Sequence, residues 1–282
     1  FILLDWSVEM EIFIEPIEES LMSLPVLFIA CLLVEYLSNK DVTNKILKYD
    51  KVGPFIGSIL GCIPQCGFSV VAAKLYSMKY LTMGTLLAIF IATSDEALAI
   101  LAIHPNLWKV LVILIVGKIV LGTLVGLIVD HLDHKNKDDY EYLQIAPCDC
   151  GCQDGIIIPA LKHTFNIFVF ILLTNIIFTI IITFIGEENL SVLLKTNILF
   201  QPIIAGLIGF IPNCAGSVVL TQLYVSGGLS FGALFTGLTT SAGVGTLALL
   251  KYNDNKKNSF KILAISYLVA LVVGYVISFI GF

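Results

Sequence analysis

The sequence predicts an all-α polytopic membrane protein made of two inverted-topology repeats, each with a broken or re-entrant helical hairpin. Three observations carry the prediction. Apolar residues form 57% of the chain, charged residues 13%, and mean hydropathy is +0.95, far from globular values. Six runs, at 21–37, 81–103, 107–129, 164–186, 229–250 and 260–282, approach the ~20 apolar residues that a hydrocarbon core of ~30 Å demands. A proline-centred motif also occurs twice. A membrane barrel would alternate apolar and polar residues instead, and in lipid an unpaired backbone is untenable, so the runs are helices.

The elements follow in order. Residues 1–20 mix apolar positions with Asp5, Glu9, Glu11, Glu15, Glu18 and Glu19, which reads as an amphipathic segment at the interface. No cleavable signal peptide is visible. The first repeat is placed at 21–130. Its loop 39–51 carries Lys40, Lys45, Lys48 and Lys51 and is therefore cytoplasmic. Within 52–77, Pro64 stands between Gly61 and Gly67 and splits the segment into two short arms. Arms of about 12 residues at ~1.5 Å rise reach ~18 Å, half a bilayer. A linker with Cys and His residues, 131–162, separates this repeat from the second, 163–282. There the arms of 202–224 break at Pro212, Glu187-Glu188 lies outside, and Lys251, Lys256, Lys257 and Lys261 mark an inside loop. With hairpins that enter and leave on one side, the signs of all loops agree and the halves have opposite orientation. The linker is then cytoplasmic and both termini outside. If each arm instead crosses fully, parity survives and the count becomes ten.

The repeat is explicit in the residues. Ile63-Pro-Gln-Cys-Gly-Phe-Ser-Val-Val71 aligns with Ile211-Pro-Asn-Cys-Ala-Gly-Ser-Val-Val219 at an offset of 148 (211 − 63), without a gap for about 40 positions. Leu75-Tyr76 falls on Leu223-Tyr224, and Gly84 on Gly232.

Three constellations carry chemistry. The hairpin tips present Gln65, Cys66 and Ser69 in one repeat and Asn213, Cys214 and Ser217 in the other. Backbone freed at such breaks must face protein, water or a ligand, although small Cys and Ser also serve close helix packing. Thr93, Ser94, Asp95 and Glu96 stand at the middle of 81–103, opposite a glycine- and hydroxyl-rich stretch that includes Thr240 and Ser241. Intramembrane acids are functional sites by default; the plainer alternative is an ion pair with Lys74 or Lys118. Adjacent Asp95 and Glu96 would diverge by ~100° on a regular helix, so a break near 93–95, mirrored at 239–245, is expected. A carboxyl there can exchange a proton for a cation, which gives H⁺/cation antiport. In the linker, Cys148, Cys150 and Cys152, with His163 nearby and Cys62 at the first tip, are the expected metal ligands, since thiolates suit soft cations and trivalent arsenicals. The spacing is not that of a closed zinc site, and an idle reduced loop is the alternative. The seven cysteines do not suit a disulfide framework.

Residues 63–69, Ala92-Thr-Ser-Asp-Glu-Ala97 and Phe210-Ile-Pro-Asn-Cys-Ala-Gly-Ser217 resemble the ten-helix heavy-metal exporter family. Its members carry labels as manganese transporters or arsenic efflux proteins, and the family is related to organoarsenical permeases. The resemblance implies a non-enzymatic secondary exporter of a metal or metalloid in a bacterial inner membrane. The cysteine-rich linker shifts the expectation toward soft ligands. No Walker-type loop is present to bind ATP. No resident cofactor and no nucleic-acid partner are expected, only lipid and a small ion or solute; a homodimer stays open. Two competing readings remain: an organic-anion carrier with helix N-termini at the tips, and a membrane thiol oxidoreductase using Cys62 and Cys66.

Overall fold

A computed structural model of the chain describes residues 17, 20–21, 24–25, 28–29, 32, 52–63, 66–93, 96–133, 157–185 and 199–280. Every regular element among them is helical. In order these are α1 (Gly53–Gly61), α2 (Cys66–Ser77), α3 (Met83–Ala92), α4 (Ala97–Ile103), a 3₁₀ turn (Pro105–Leu107) and α5 (Trp108–Asp133). Then follow α6 (Ile157–Ile185), α7 (Gln201–Gly209), α8 (Cys214–Val225), α9 (Phe231–Thr240), α10 (Gly245–Tyr252) and α11 (Lys256–Ile280). Four stretches are long and apolar enough to cross a membrane: Met83–Ile103, Pro105–Asp133, Phe231–Tyr252 and Lys256–Ile280.

The repeat extends well beyond its motif. The starts of α1, α2, α3, α4 and α5 at 53, 66, 83, 97 and 108 map onto 201, 214, 231, 245 and 256 by the same offset of 148. Local chemistry agrees. Thr82 caps α3 by accepting from the Thr85 N–H, and Ser230 caps α9 by accepting from the Ala233 N–H. Both α2 and α8 end in a Schellman motif: Tyr80 N–H donates to Leu75 O at 2.9 Å and Gly228 N–H to Leu223 O at 2.8 Å. Each proline at the start of a first arm, Pro54 and Pro202, stands where its missing N–H costs nothing.

Helix α5 continues through His131 to Asp133, and α6 already begins at Ile157. Pro159 does not prevent this, because in a first turn no intrahelical N–H is lost.

Helices α3 and α9 form the centre: all ten residues of each are buried. A helix apolar on every side needs protein all round. Helix α5 covers α3, and α11 covers α9. Their outward rows correspond: Val120, Leu124 and Ile128 of α5 are exposed, as are Leu268, Val272 and Val276 of α11. Such i, i+4 rows are the surface for lipid. On the inward side the backbones nearly touch. A Cβ on Gly126 would lie 2.7 Å from Gly84 O, and one on Gly274 would lie 2.8 Å from Gly232 O. Small residues permit this approach where no hydrophobic effect drives helix association.

The short arms lie along the central helices. A Cβ on Gly53 would meet Thr85 Oγ1 at 2.6 Å and one on Gly61 would meet Ile89 O at 2.6 Å, so α1 tracks α3 from its start toward its end. In the second repeat the Gln201 amide accepts from Ser230 N–H at 3.1 Å and donates to Gly228 O at 3.3 Å. A Cβ on Gly209 would lie 2.2 Å from Gly237 O, so α7 tracks α9 in the same way. The returning arms cross to the other repeat: α2 packs on α10, and α8 packs on α4.

Candidate functional site

Four interruptions of helix meet at the middle of the molecule. The first follows α1, whose last residue, Gly61, touches Ile89 and Ala92 at the end of α3. The second is the gap from Ala92 to Ala97, where Thr93 leaves helical geometry at φ −56°, ψ 130° and Glu96 opens α4. The third follows α7, whose Gly209 touches Gly237 and Thr240. The fourth lies between Thr240 and Gly245, with Gly243 in the left-handed region at φ 53°. The break expected near 93–95 and its mirror at 239–245 are both present. The repeats are stitched here: a Cβ on Gly245 would collide with Ser69 Cβ at 2.5 Å, and α3 contacts α9.

Of the residues singled out from the sequence, Ser69, Thr93, Cys214, Ser217, Thr240, Ser241 and Asn213 are buried at this junction. Three of their hydroxyls donate to backbone carbonyls. Thr93 Oγ1 donates to Ile89 O at 2.8 Å, Ser217 Oγ to Cys214 O at 2.7 Å, and Thr240 Oγ1 to Gly206 O at 2.9 Å. Asn213 caps α8 and also donates through Nδ2 to Thr179 Oγ1 of α6 at 3.2 Å, which ties the second tip to a helix outside the five-element repeat. Cys62, half-buried after α1, is within electrostatic reach of Lys118. Cys66 opens α2 on the backbone, as Cys214 opens α8. Gln65, Ser94, Asp95, Cys148, Cys150 and Cys152 lie outside the described residues, as do the side chains of Cys66 and His163. Among the described residues no cluster of three or more His, Cys, Asp or Glu side chains could hold a metal ion.

Three polar groups at the junction stand apart. Glu96 Oε2 is buried and has no hydrogen-bond partner among the described residues, and the same holds for Thr239 Oγ1 on the fully buried end of α9. A buried carboxylate oxygen is costly without a partner, and acids within a membrane mark sites for a bound ion. The third is Lys118 of α5, fully buried, whose ammonium donates to Thr93 O and, at 2.7 Å, to Leu238 O. It thereby joins the ends of α3 and α9. From the sequence Lys118 is expected only as a pairing partner for the acids. Its position at the middle of the long apolar run 107–129 was the signal that could have marked it as a site residue in its own right.

Paired helices interrupted at one buried junction, within a shell of lipid-facing apolar rows, define a multi-pass α-helical membrane protein with two repeats. The chain belongs to the family described as "Putative, 10TM heavy-metal exporter", which matches residues 10–163 and again 152–281. Two overlapping matches that together cover nearly the whole chain suit a duplicated architecture. Comparison with curated proteins and with solved structures finds no match.

Proposed function

We propose that the chain is a secondary exporter of a heavy-metal or metalloid species, working by alternating access around the junction of the two hairpin tips and the two broken helices. The observation that carries this reading is Glu96: a buried carboxylate oxygen, without a hydrogen-bond partner among the described residues, at the break of a central helix. There it serves as a ligand for a cation in one state and takes a proton in the other, so the reaction is H⁺/cation antiport. Asp95, Ser94, Gln65 and Cys66 are the further candidate ligands that the sequence offers from the first repeat. Ser217, Cys214, Thr240 and Ser241 are those from the second. The linker thiols Cys148, Cys150 and Cys152, with His163, collect soft cations before they enter.

Inverted orientation supports alternating access. The end of α2 meets the start of α11, where Asn258 Nδ2 donates to Tyr76 Oη at 2.8 Å, so the start of α3 and the end of α10 share one side. The start of α9 lies beside the start of α7, with Tyr275 Oη near the end of α11 donating to Leu199 O at 2.6 Å. On this reading α3 and α9 start from opposite faces. The lysines of 39–51 and 251–261 then mark one face as cytoplasmic in a bacterial inner membrane. Among the described residues the second repeat has five segments when each arm is counted and the broken helix is taken as one, namely α6, α7, α8, α9–α10 and α11, in keeping with a ten-helix family.

An organic-anion carrier is the second reading, favoured by the buried charge of Lys118. Two N–H groups of that ammonium are already directed at backbone carbonyls, which favours the cation reading. Purified protein in liposomes with an imposed proton gradient decides between them. Efflux of Mn²⁺, Cd²⁺, arsenite and a small dicarboxylate should single out a cation or arsenite. Glu96→Gln should lower that flux at least ~100-fold at unchanged melting temperature, as expected for a group acting in the transport cycle. Normal flux through Glu96→Gln, or flux of the dicarboxylate alone, defeats the proposal.

A further inference from the structure

We propose that Lys118 is a tethered cation occupying a carbonyl site that the duplication itself creates, and that an unattached alkylammonium ion binds there when the side chain is removed. The inference does not depend on which species is transported. It begins with backbone. The last four carbonyls of any helix lack intrahelical donors. In α9, Gly237 O accepts from Ser241 N–H and Thr240 O from Ala242 N–H, while Leu238 O accepts from Lys118. At the end of α3, Ile89 O accepts from Thr93 N–H, and Thr93 O again accepts from Lys118.

The charge arithmetic points the same way. A helix C-terminus carries roughly half a negative charge, so two of them meeting at one point sum to about one. Pseudo-symmetric repeats bring the ends of α3 and α9 together, and the like partial charges need a cation between them. One ammonium, fully buried, supplies that charge and donates to both repeats at once. It comes from one side only: the counterpart of position 118, at 118 + 148 = 266, is Ser266, also buried. Carbonyl oxygens of this kind hold hard monovalent cations at unwound helix ends in other membrane proteins. Here the cation is part of the chain.

The test is the melting temperature of the purified full chain in propylammonium chloride against tetramethylammonium chloride at equal ionic strength. Lys118→Ala should melt lower by roughly 10 °C in tetramethylammonium, as the loss of donors to two buried carbonyls implies. Propylammonium should recover at least half of that loss. The wild type, and Lys118→Met whose unbranched stem replaces that of the lysine, should melt alike in the two salts. Equal melting of Lys118→Ala and wild type, or an equal loss in both salts, overturns the proposal. If Lys118→Ala aggregates on extraction, the same salts are applied from solubilisation onward. Monodisperse protein in propylammonium alone then supports the site, and aggregation in both refutes it. Because the readout is stability, failure here leaves the transport reading untouched, and failed transport leaves this one untouched.

Discussion

Where the two repeats place glycine against backbone they agree: Gly84 with Gly232, Gly126 with Gly274, Gly61 with Gly209. Where side chains face the central junction or the rim they part. Positions 96, 118 and 130 are Glu, Lys and Asp in the first repeat, and their counterparts 244, 266 and 278 are Val, Ser and Ser. The difference separates two kinds of constraint. Backbone approach of this closeness admits no substitute, so both copies keep it. Charge at the junction has to be supplied only once, because a single buried ammonium or carboxylate reaches the elements of both halves. The first repeat supplies the ionisable groups; the second supplies hydroxyls, with Thr236, Thr239 and Thr240 all fully buried or nearly so.

The sharpest way to break the comparison is at the glycines. Gly126→Val and Gly274→Val should each cost about 3 kcal/mol or more, since overpacked helices must separate. A Cβ at 274 would stand 1.8 Å from Thr236 Oγ1, and one at 126 would stand 2.7 Å from Pro54 Cβ. Size-exclusion profiles of detergent extracts should lose the monodisperse peak in both. A normal profile for one of them would show that the two helix pairs are not equivalent.

A smaller effect is expected at the rim. Asp130 Oδ1 accepts from Gly84 N–H and Oδ2 from Thr82 Oγ1, each at 2.8 Å, at the start of α3. Its counterpart Ser278 instead donates to its own helix at Gly274 O, at 2.9 Å. Asp130→Ser therefore makes the first repeat resemble the second. It should lower stability by ~1–2 kcal/mol, the usual worth of a charged group capping a helix N-terminus. Thermal unfolding with and without high salt checks this. A loss that salt does not reduce would mean that the carboxylate acts through packing.

Much of this architecture was legible in the sequence. Pro64 and Pro212, each flanked by glycine or a small residue, announced breaks that no apolar pattern could hide. The offset of 148 was visible for about 40 positions and in the structure runs twice as far, from 53 to 133 against 201 to 280. Past Leu86 the side chains diverge, because lipid accepts any apolar residue and only spacing is preserved. Gly126 and Gly274 were invisible as a pair for that reason. Lys118 was visible as a lone lysine in an apolar helix, but nothing in a linear chain says that two helix ends from separate repeats will meet its ammonium. Glu96 was legible as chemistry, whereas its unpartnered oxygen could be seen only in three dimensions.

The last comparison concerns one backbone angle. Lys79 has φ 63° and its counterpart Gly227 (79 + 148) has φ 78°, both at the left-handed residue of the same Schellman motif. For an L-residue that conformation costs roughly 1–2 kcal/mol, which glycine avoids. Glycine also loses more entropy on folding, by ~0.4–1 kcal/mol, so the two terms partly cancel. Lys79→Gly should therefore stabilise the protein by about 0.5–1 kcal/mol, and Gly227→Ala should destabilise it by a similar amount. The second substitution isolates the backbone term, since a Cβ at 227 would meet nothing within 4 Å. Melting curves of the two variants should move in opposite directions by comparable amounts. If Lys79→Gly lowers the melting temperature instead, the lysine contributes through its side chain at the membrane surface, and the two turns are alike in backbone only.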